Sequence, residues 1–348
     1  MTAAAPAIDP VLILSTGRYG STMVSEMLNR HPAILSLSEF FVVLGPEAFA
    51  LERPDGDDMW RLYTRQSAAL HAMLKDGQVA EECLYAHDAP GARYRPAEMP
   101  PIIITTLPHL TDRPEALLDE LEPVVRSQPR MHLADHYRAL FAHLAARFGR
   151  RVWVERSGGS LGLAPKLLRL FAEARVVHVF RDGRDTAISM SRHHNFRVAV
   201  AAHAALRRLG LDPVRLLRAP HGSRLEVWGQ RLLFALIDTG RIAERPPDLA
   251  AFGAFWSRLI ELGEEVLGGL PAGRVLKLRF EDVQQAPRQE LGRLIAFIDP
   301  SLAHDAWLEE AAAMVRPTRS SRDRLPPAER EALARACAPG LALLGYEP

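Results

Sequence analysis

The chain has 348 residues, 48% of them hydrophobic, and its 43 lysines and arginines almost balance 42 aspartates and glutamates, leaving a net charge of +1. Such a chain can bury a full core and is expected to form one large domain, 1–348, while the small net charge argues against a nucleic-acid partner, since duplex-binding surfaces are strongly basic. No stretch approaches the roughly 20 apolar residues of a membrane span, and MTAAAPAIDP lacks the basic and apolar regions of a secretory signal. 

In chain order, Val11 to Leu14 is a short all-apolar run suited to a strand buried on both faces. It breaks into the turn STGRYGST, and Ser21 to Asn29 carries Met23, Met27 and Leu28 at helical spacing. HPAILSLSEFF gives a turn and a second short strand ending near Glu39. From Gly45 to Pro129 the sequence mixes Pro, Gly and charge with a few helical patches and has the character of an insertion. A helix is expected over His132 to Phe148, a strand over Val152 to Val154, a helix from Leu161 to about Ala172, and a strand over Val176 to Phe180 with a helix from about Thr186. A second poorly patterned stretch, 195–249, holds Pro213, Pro220, Pro246 and Pro247. A helix over Phe252 to Leu267, a strand over Val275 to Leu278 and a further helix close the pattern. Strands alternating with helices through short turns predict an α/β fold, a doubly wound and mainly parallel sheet with flanking helices. With only Cys83 and Cys337, neither a disulfide framework nor a cysteine-rich metal site is expected, and a cytoplasmic location is the default.

Ligands of such sheets bind where the strands end, and the residues there suit anions. Gly17 and Gly20 allow close backbone approach, the next helix points its N-terminal amides outward, and Ser21 and Thr22 add hydroxyls. The loop has no lysine; Arg18 stands earlier in the turn instead. After the later strand, Arg181 and Ser189 are placed to hold a second phosphate, although Arg181, Asp182, Arg184 and Asp185 equally suit a solvated salt-bridge turn. Arginines gather at 181–197 and 316–324, where bidentate forks would serve a multiply charged ligand.

STGRYGSTMVSEML with the following RHP, together with ARVVHVFRDGRDTAISM, resembles the sulfotransferases that use 3′-phosphoadenosine 5′-phosphosulfate (PAPS), above all the branch of tyrosylprotein and bacterial sulfotransferases. The resemblance implies a P-loop NTPase-like sulfotransferase fold with 45–129 and 195–249 as substrate-side insertions. It assigns Gly17, Arg18, Tyr19, Gly20, Ser21 and Thr22 to the 5′-phosphosulfate and Arg181 and Ser189 to the 3′-phosphate. WVERSGG resembles the family's W-x-E-K-[ST] segment, with Arg156 in the lysine's place. LKLRFEDVQQAP resembles its R-Y-E-D-L segment, with Phe280 replacing the tyrosine. RSSRDRLPPAE followed by LALLGYEP resembles the loop that closes over the nucleotide, which implies contacts from Ser321 and Arg322.

Sulfuryl transfer needs positioning and neutralisation of charge on the leaving phosphate oxygen. Arg18 is the first candidate for that oxygen and Arg156 its helper; no metal is required, and the product nucleotide is 3′-phosphoadenosine 5′-phosphate (PAP). Glu39, beside the first loop, matches the family's catalytic glutamate in position, and His132 and His136, expected at the surface, compete for the role of base. Arg192 only approximately matches an arginine that some relatives carry after the 3′-phosphate serine. The acceptor is left open among a small molecule, a carbohydrate, a lipid and a peptide, and a homodimer is allowed. Two other functions compete: a P-loop kinase, with Asp182 helping to hold magnesium, and a non-catalytic nucleotide-binding protein. The missing lysine counts against the kinase.

Overall fold

The structure is a computed structural model and describes residues 9–18, 20–74, 79, 83–219, 222–236, 242, 245–318 and 320–347. Five strands form one sheet: β1 (Val11–Leu14), β2 (Ile34–Ser38), β3 (Val152–Arg156), β4 (Arg175–Phe180) and β5 (Val275–Arg279). Their spatial order is β2-β3-β1-β4-β5 and every pair is parallel. The doubly wound α/β expectation therefore holds. The position of Glu39 needs a correction: β3 lies between β1 and β2, so the end of β2 is one strand removed from the first loop.

Strand periodicity explains why both faces are covered. Along β1, Leu12 and Leu14 pack into one cluster while Val11 and Ile13 pack into the other, as a period of two requires. The first cluster takes in α2 (Phe40–Leu44), α3 (Gly56–Thr64), α4 (Ala68–Leu74), α5 (Pro114–Arg126) and α6 (Leu133–Arg147) through residues such as Phe41, Met59, Leu74, Leu121 and Phe141. Much of the 45–129 stretch is thus helical and contributes to the principal core rather than standing apart from it as an insertion, through Met59, Trp60 and Tyr63 of α3 and Leu117, Leu118, Leu121 and Val125 of α5. The second cluster is built on α1 (Ser21–Asn29), with Val24, Met27 and Leu28, and on the helix Pro287–Ile298.

The chain leaves β1 toward β2 on one side and leaves β4 toward β5 on the other, so β1 and β4, paired from Val11–Arg175 to Leu14–His178, flank the topological switch point. α7 (Gly183–Ser191) follows β4 and α8 (His194–Arg208) follows α7. α9 (Arg224–Leu236), α10 (Leu249–Gly268), α11 (Phe280–Gln285) and α12 (Pro327–Leu343) complete the labelled helices. α7 begins three residues before the expected Thr186, because Asp182 caps it by accepting a hydrogen bond from the Arg184 amide. No described helix is long and apolar enough to cross a membrane.

Candidate active site

The loop after β1 is shaped by left-handed backbone. Gly17 has φ 85°, Arg18 φ 56° and Gly20 φ 92°. A Cβ on Gly17 would lie 2.5 Å from the Phe196 ring and 3.2 Å from the Gly159 amide nitrogen, and one on Gly20 would run into the Phe280 ring. These two positions must therefore be glycine, which brings the 158–160 turn after β3 and the start of α8 against the loop. Ser15 accepts a hydrogen bond from the Gly17 amide at 3.2 Å, and the Leu161 amide donates to the Ser15 carbonyl at 2.9 Å. Tyr19 lies outside the described residues. Ser21 and Thr22 supply the backbone of the first turn of α1; their side chains also lie outside the described residues.

Arg18 spans the switch point. Its Nε donates to Ser189 Oγ at 3.2 Å, so a residue of the β1 loop reaches the hydroxyl on α7. Arg181, half-buried at the end of β4, holds its guanidinium carbon 5.7 Å from the centroid of the Phe280 ring. The Phe280 ring thus stands between Gly20 and Arg181, a cation–π geometry that fixes the arginine beside the loop.

A second constellation forms where β2 and β3 end. Glu39 has φ 58°, and its amide donates to the Arg156 carbonyl at 2.8 Å. Its carboxylate accepts from Arg156 Nη1 at 2.7 Å and from the Gly158 amide at 2.9 Å. Arg156 also donates to Ser38 Oγ at 2.5 Å. With side chains 5% and 13% exposed, Arg156 and Glu39 form a nearly buried pair, which is costly unless hydrogen bonds complete it. Among the described residues Arg156 Nε, which is buried, has no hydrogen-bond partner, a donor left over beside the strand ends.

Glu155 is the residue that sequence reasoning passed over. It lies inside WVERSGG, whose arginine drew the attention, yet its place within a buried strand was itself a signal. Its carboxyl is fully buried, accepts from the Ser157 hydroxyl and the Phe41 amide, and leaves Oε2 without a partner. Burial pushes it up to about 8; the Ser157 hydrogen bond opposes the rise and the nearby Glu39 charge adds to it. Burial thus favours its neutral form near pH 7, and its bond from the Phe41 amide ties β3 to the start of α2.

The tail loop docks on the first turn of α7. The Ser321 amide donates to Asp185 Oδ1 at 2.6 Å, the Ser320 hydroxyl to the same oxygen at 3.2 Å, and Arg322 pairs with Asp182. Burial alone would raise the Asp182 carboxyl, but Arg184 and Arg322 hold it below its ordinary range. Paired with two arginines, Asp182 is committed as a helix cap, which removes the magnesium role that a kinase reading would give it. Tyr346 of the final L-G-Y donates to Glu281 at 2.8 Å, and Glu281 in turn accepts the Asp182 amide at 2.9 Å. The two histidines considered as bases are placed differently from each other. His132 is exposed as expected, whereas His136 is buried, with its ring nitrogens 2.6 Å from the Gln128 side chain and 2.9 Å from the Pro54 carbonyl. Arg192, at the C-terminal end of α7, is exposed.

The residues present suit a bisphosphorylated anion. Arg18, Arg156 and Arg181 stand at or just beyond the ends of three adjacent strands, and among the described residues one buried guanidinium nitrogen, Arg156 Nε, lacks a partner. Among the described residues, no group of three or more His, Cys, Asp or Glu is placed to hold a metal ion.

Comparison with known proteins adds the family. Residues 10–228 match the family described as the Sulfotransferase family. Among solved structures, the chain is similar to the sulfotransferase domain from the curacin biosynthetic pathway, at 14% identity and a TM-score of 0.46 over 99% of both chains. It is also similar to the sulfotransferase domain of the Synechococcus PCC 7002 olefin synthase, at 14% identity and a TM-score of 0.44 over 100% of this chain and 98% of that one. A sulfotransferase from Mycobacterium avium gives 14% identity and a TM-score of 0.45 over 99% of this chain and 78% of that one. No curated protein matches the sequence. The family match spans well over half of the chain and includes both anion motifs and the Glu39–Arg156 pair, and the chain belongs to the sulfotransferase family.

Proposed function

We propose that the protein moves a sulfuryl group from PAPS to a hydroxyl or amine of its acceptor, releasing PAP. The observation that carries this reading is the Arg18–Ser189 hydrogen bond across the switch point, which joins the loop assigned to the 5′-phosphosulfate to the motif assigned to the 3′-phosphate. Two anion sites one residue's reach apart suit a nucleotide phosphorylated at both ends.

In the proposed reaction the acceptor oxygen attacks sulfur as the bond from sulfur to the 5′-phosphate oxygen breaks. The bonding electron pair leaves on that phosphate oxygen, and the acceptor's proton passes to the Glu39 carboxylate. Arg18 and the first-turn amides of α1 neutralise the leaving oxygen. Arg156 has both terminal nitrogens engaged by Glu39 and Ser38, so it orients the base and offers only Nε toward the anion. Arg181 and Ser189 take the 3′-phosphate. Ser321 and Arg322 approach the nucleotide on a loop anchored by Asp185 and Asp182. Gly17, Tyr19, Gly20, Ser21 and Thr22 complete the 5′ cradle.

Incubating the protein with sulfur-labelled PAPS and a mixed panel of alcohols, sugars, phenols and amines tests the reaction class. Transfer of label to at least one acceptor with stoichiometric PAP release is expected. Magnesium-dependent ATP consumption with no sulfate transferred would instead establish a kinase.

A further inference from the structure

A cavity of about 170 Å³ lies outside every residue assigned to the donor. Its walls are mainly apolar, Val42 and Val43 of α2, Leu70 and Met73 of α4, and Val198 and Ala199 of α8, with the polar side chains of Asn195 and Gln230 among them. Two of these walls spring from the proposed reaction centre. α2 is capped by Glu39, whose carbonyl accepts from the Val43 amide at 3.1 Å, so both valines lie within one helical turn of the base. α8 carries Phe196, the ring that closes on Gly17 of the donor loop. At its far side the cavity reaches Ser67, which also lines a more open hollow with Arg65, Gln66, His71 and Arg231. The cavity thus adjoins the helix that Glu39 caps and, through Ser67, a more polar hollow.

We propose that this cavity takes the apolar body of the acceptor: an alcohol carrying a ring or alkyl segment of about six carbons, since a dry cavity of this order accommodates benzene. The proposal rests on the sulfuryl-transfer reading of the site. A sugar fits less well, because the lining offers only Ser67, Asn195 and Gln230 as polar side chains, and most of its hydroxyls would lose their water without gaining a partner. An alkyl alcohol gains from burial and leaves its hydroxyl at the mouth, toward Glu39.

The test uses the full chain with labelled PAPS and ethanol, 1-butanol, 1-hexanol, 1-octanol or glucose. Transfer efficiency, kcat/KM, is expected to rise about fourfold per methylene up to about hexanol and then level off where the walls turn polar. Met73→Asp, which charges the wall, and Ala199→Leu, which fills the space, should each erase the gain from butanol to hexanol and leave ethanol unchanged; the second variant serves if the first does not fold. Equal transfer to glucose and hexanol, or no dependence on chain length, overturns the cavity assignment while leaving sulfuryl transfer standing. If no acceptor takes label, calorimetric titration with 1-hexanol separates the two ideas. Hexanol binding that Ala199→Leu abolishes upholds the cavity as an apolar site and overturns its role for the acceptor, the reaction class being decided by the mixed acceptor panel; no binding overturns the cavity itself.

Discussion

Replacing Glu155 by glutamine gives the most quantitative test of the strand-end constellation. Glu155 is fully buried and its carboxyl is raised from an ordinary 4.5 to about 8. Between those two values the folded chain keeps a proton that the unfolded chain releases, so the wild type loses stability as pH rises through that window. At about 1.4 kcal/mol per pH unit the full loss is roughly 5 kcal/mol. Glutamine stays neutral at every pH. It can accept from Ser157 and Phe41 as the carboxyl does, but it puts an amide nitrogen where Oε2 has no partner, a constant cost of about 1–3 kcal/mol. The two stability profiles should therefore cross. Near pH 5 the wild type is the more stable; near pH 8.5 the variant is. Urea unfolding of both proteins across pH 5–8.5 reads the difference, since titrating groups that do not interact with Glu155 cancel and leave its own titration and its coupling to Glu39 and Arg156. A difference that stays flat with pH would refute the claim that Glu155 is held neutral.

Glu39→Gln should lower turnover by about 10²–10⁴-fold, the range for removal of a general base, while PAP binds with unchanged affinity in calorimetry. Gly20→Ala places a methyl against the Phe280 ring at φ 92° and should destabilise the fold by roughly 1–3 kcal/mol, measured as a shift in thermal unfolding. Asp185→Ala removes both the Ser321 and Ser320 hydrogen bonds; trypsin should then cut after Arg322 or Arg324 faster than in the wild type, while the core fragment persists.

The parallel sheet was legible because four of its strands announce themselves as short apolar runs between turn residues, and the anion motifs fall at their ends. Strand order was not. Adjacent placement of β1 and β2 is the simple inference from sequence, but β3, more than a hundred residues later, inserts between them and brings Arg156 onto Glu39. The helices of 45–129 were obscured because most are short and separated by Pro, Gly and charge, although Leu117, Leu118, Leu121 and Val125, and Met59, Trp60 and Tyr63, stand at the helical spacing that could have revealed them. Gly17 and Gly20 were read from the sequence as places where the backbone can approach an anion; what forbids a side chain there in the structure is distant in sequence, Phe196 and Phe280. Glu155 was overlooked although its place directly after the apolar run Val152 to Val154 was a signal; the charge of the neighbouring Arg156 suggested a solvated strand end, whereas the strand runs on to Arg156 and both side chains are buried.

The central claim, that the β1 and β4 strand ends hold one nucleotide by its two ends, is tested most directly by calorimetric titration with PAP and with 5′-AMP. The account predicts that PAP binds the wild type more tightly than 5′-AMP, and that Arg181→Ala removes this preference while leaving 5′-AMP affinity unchanged. Equal affinity of the wild type for the two nucleotides, or a preference that survives Arg181→Ala, would contradict it.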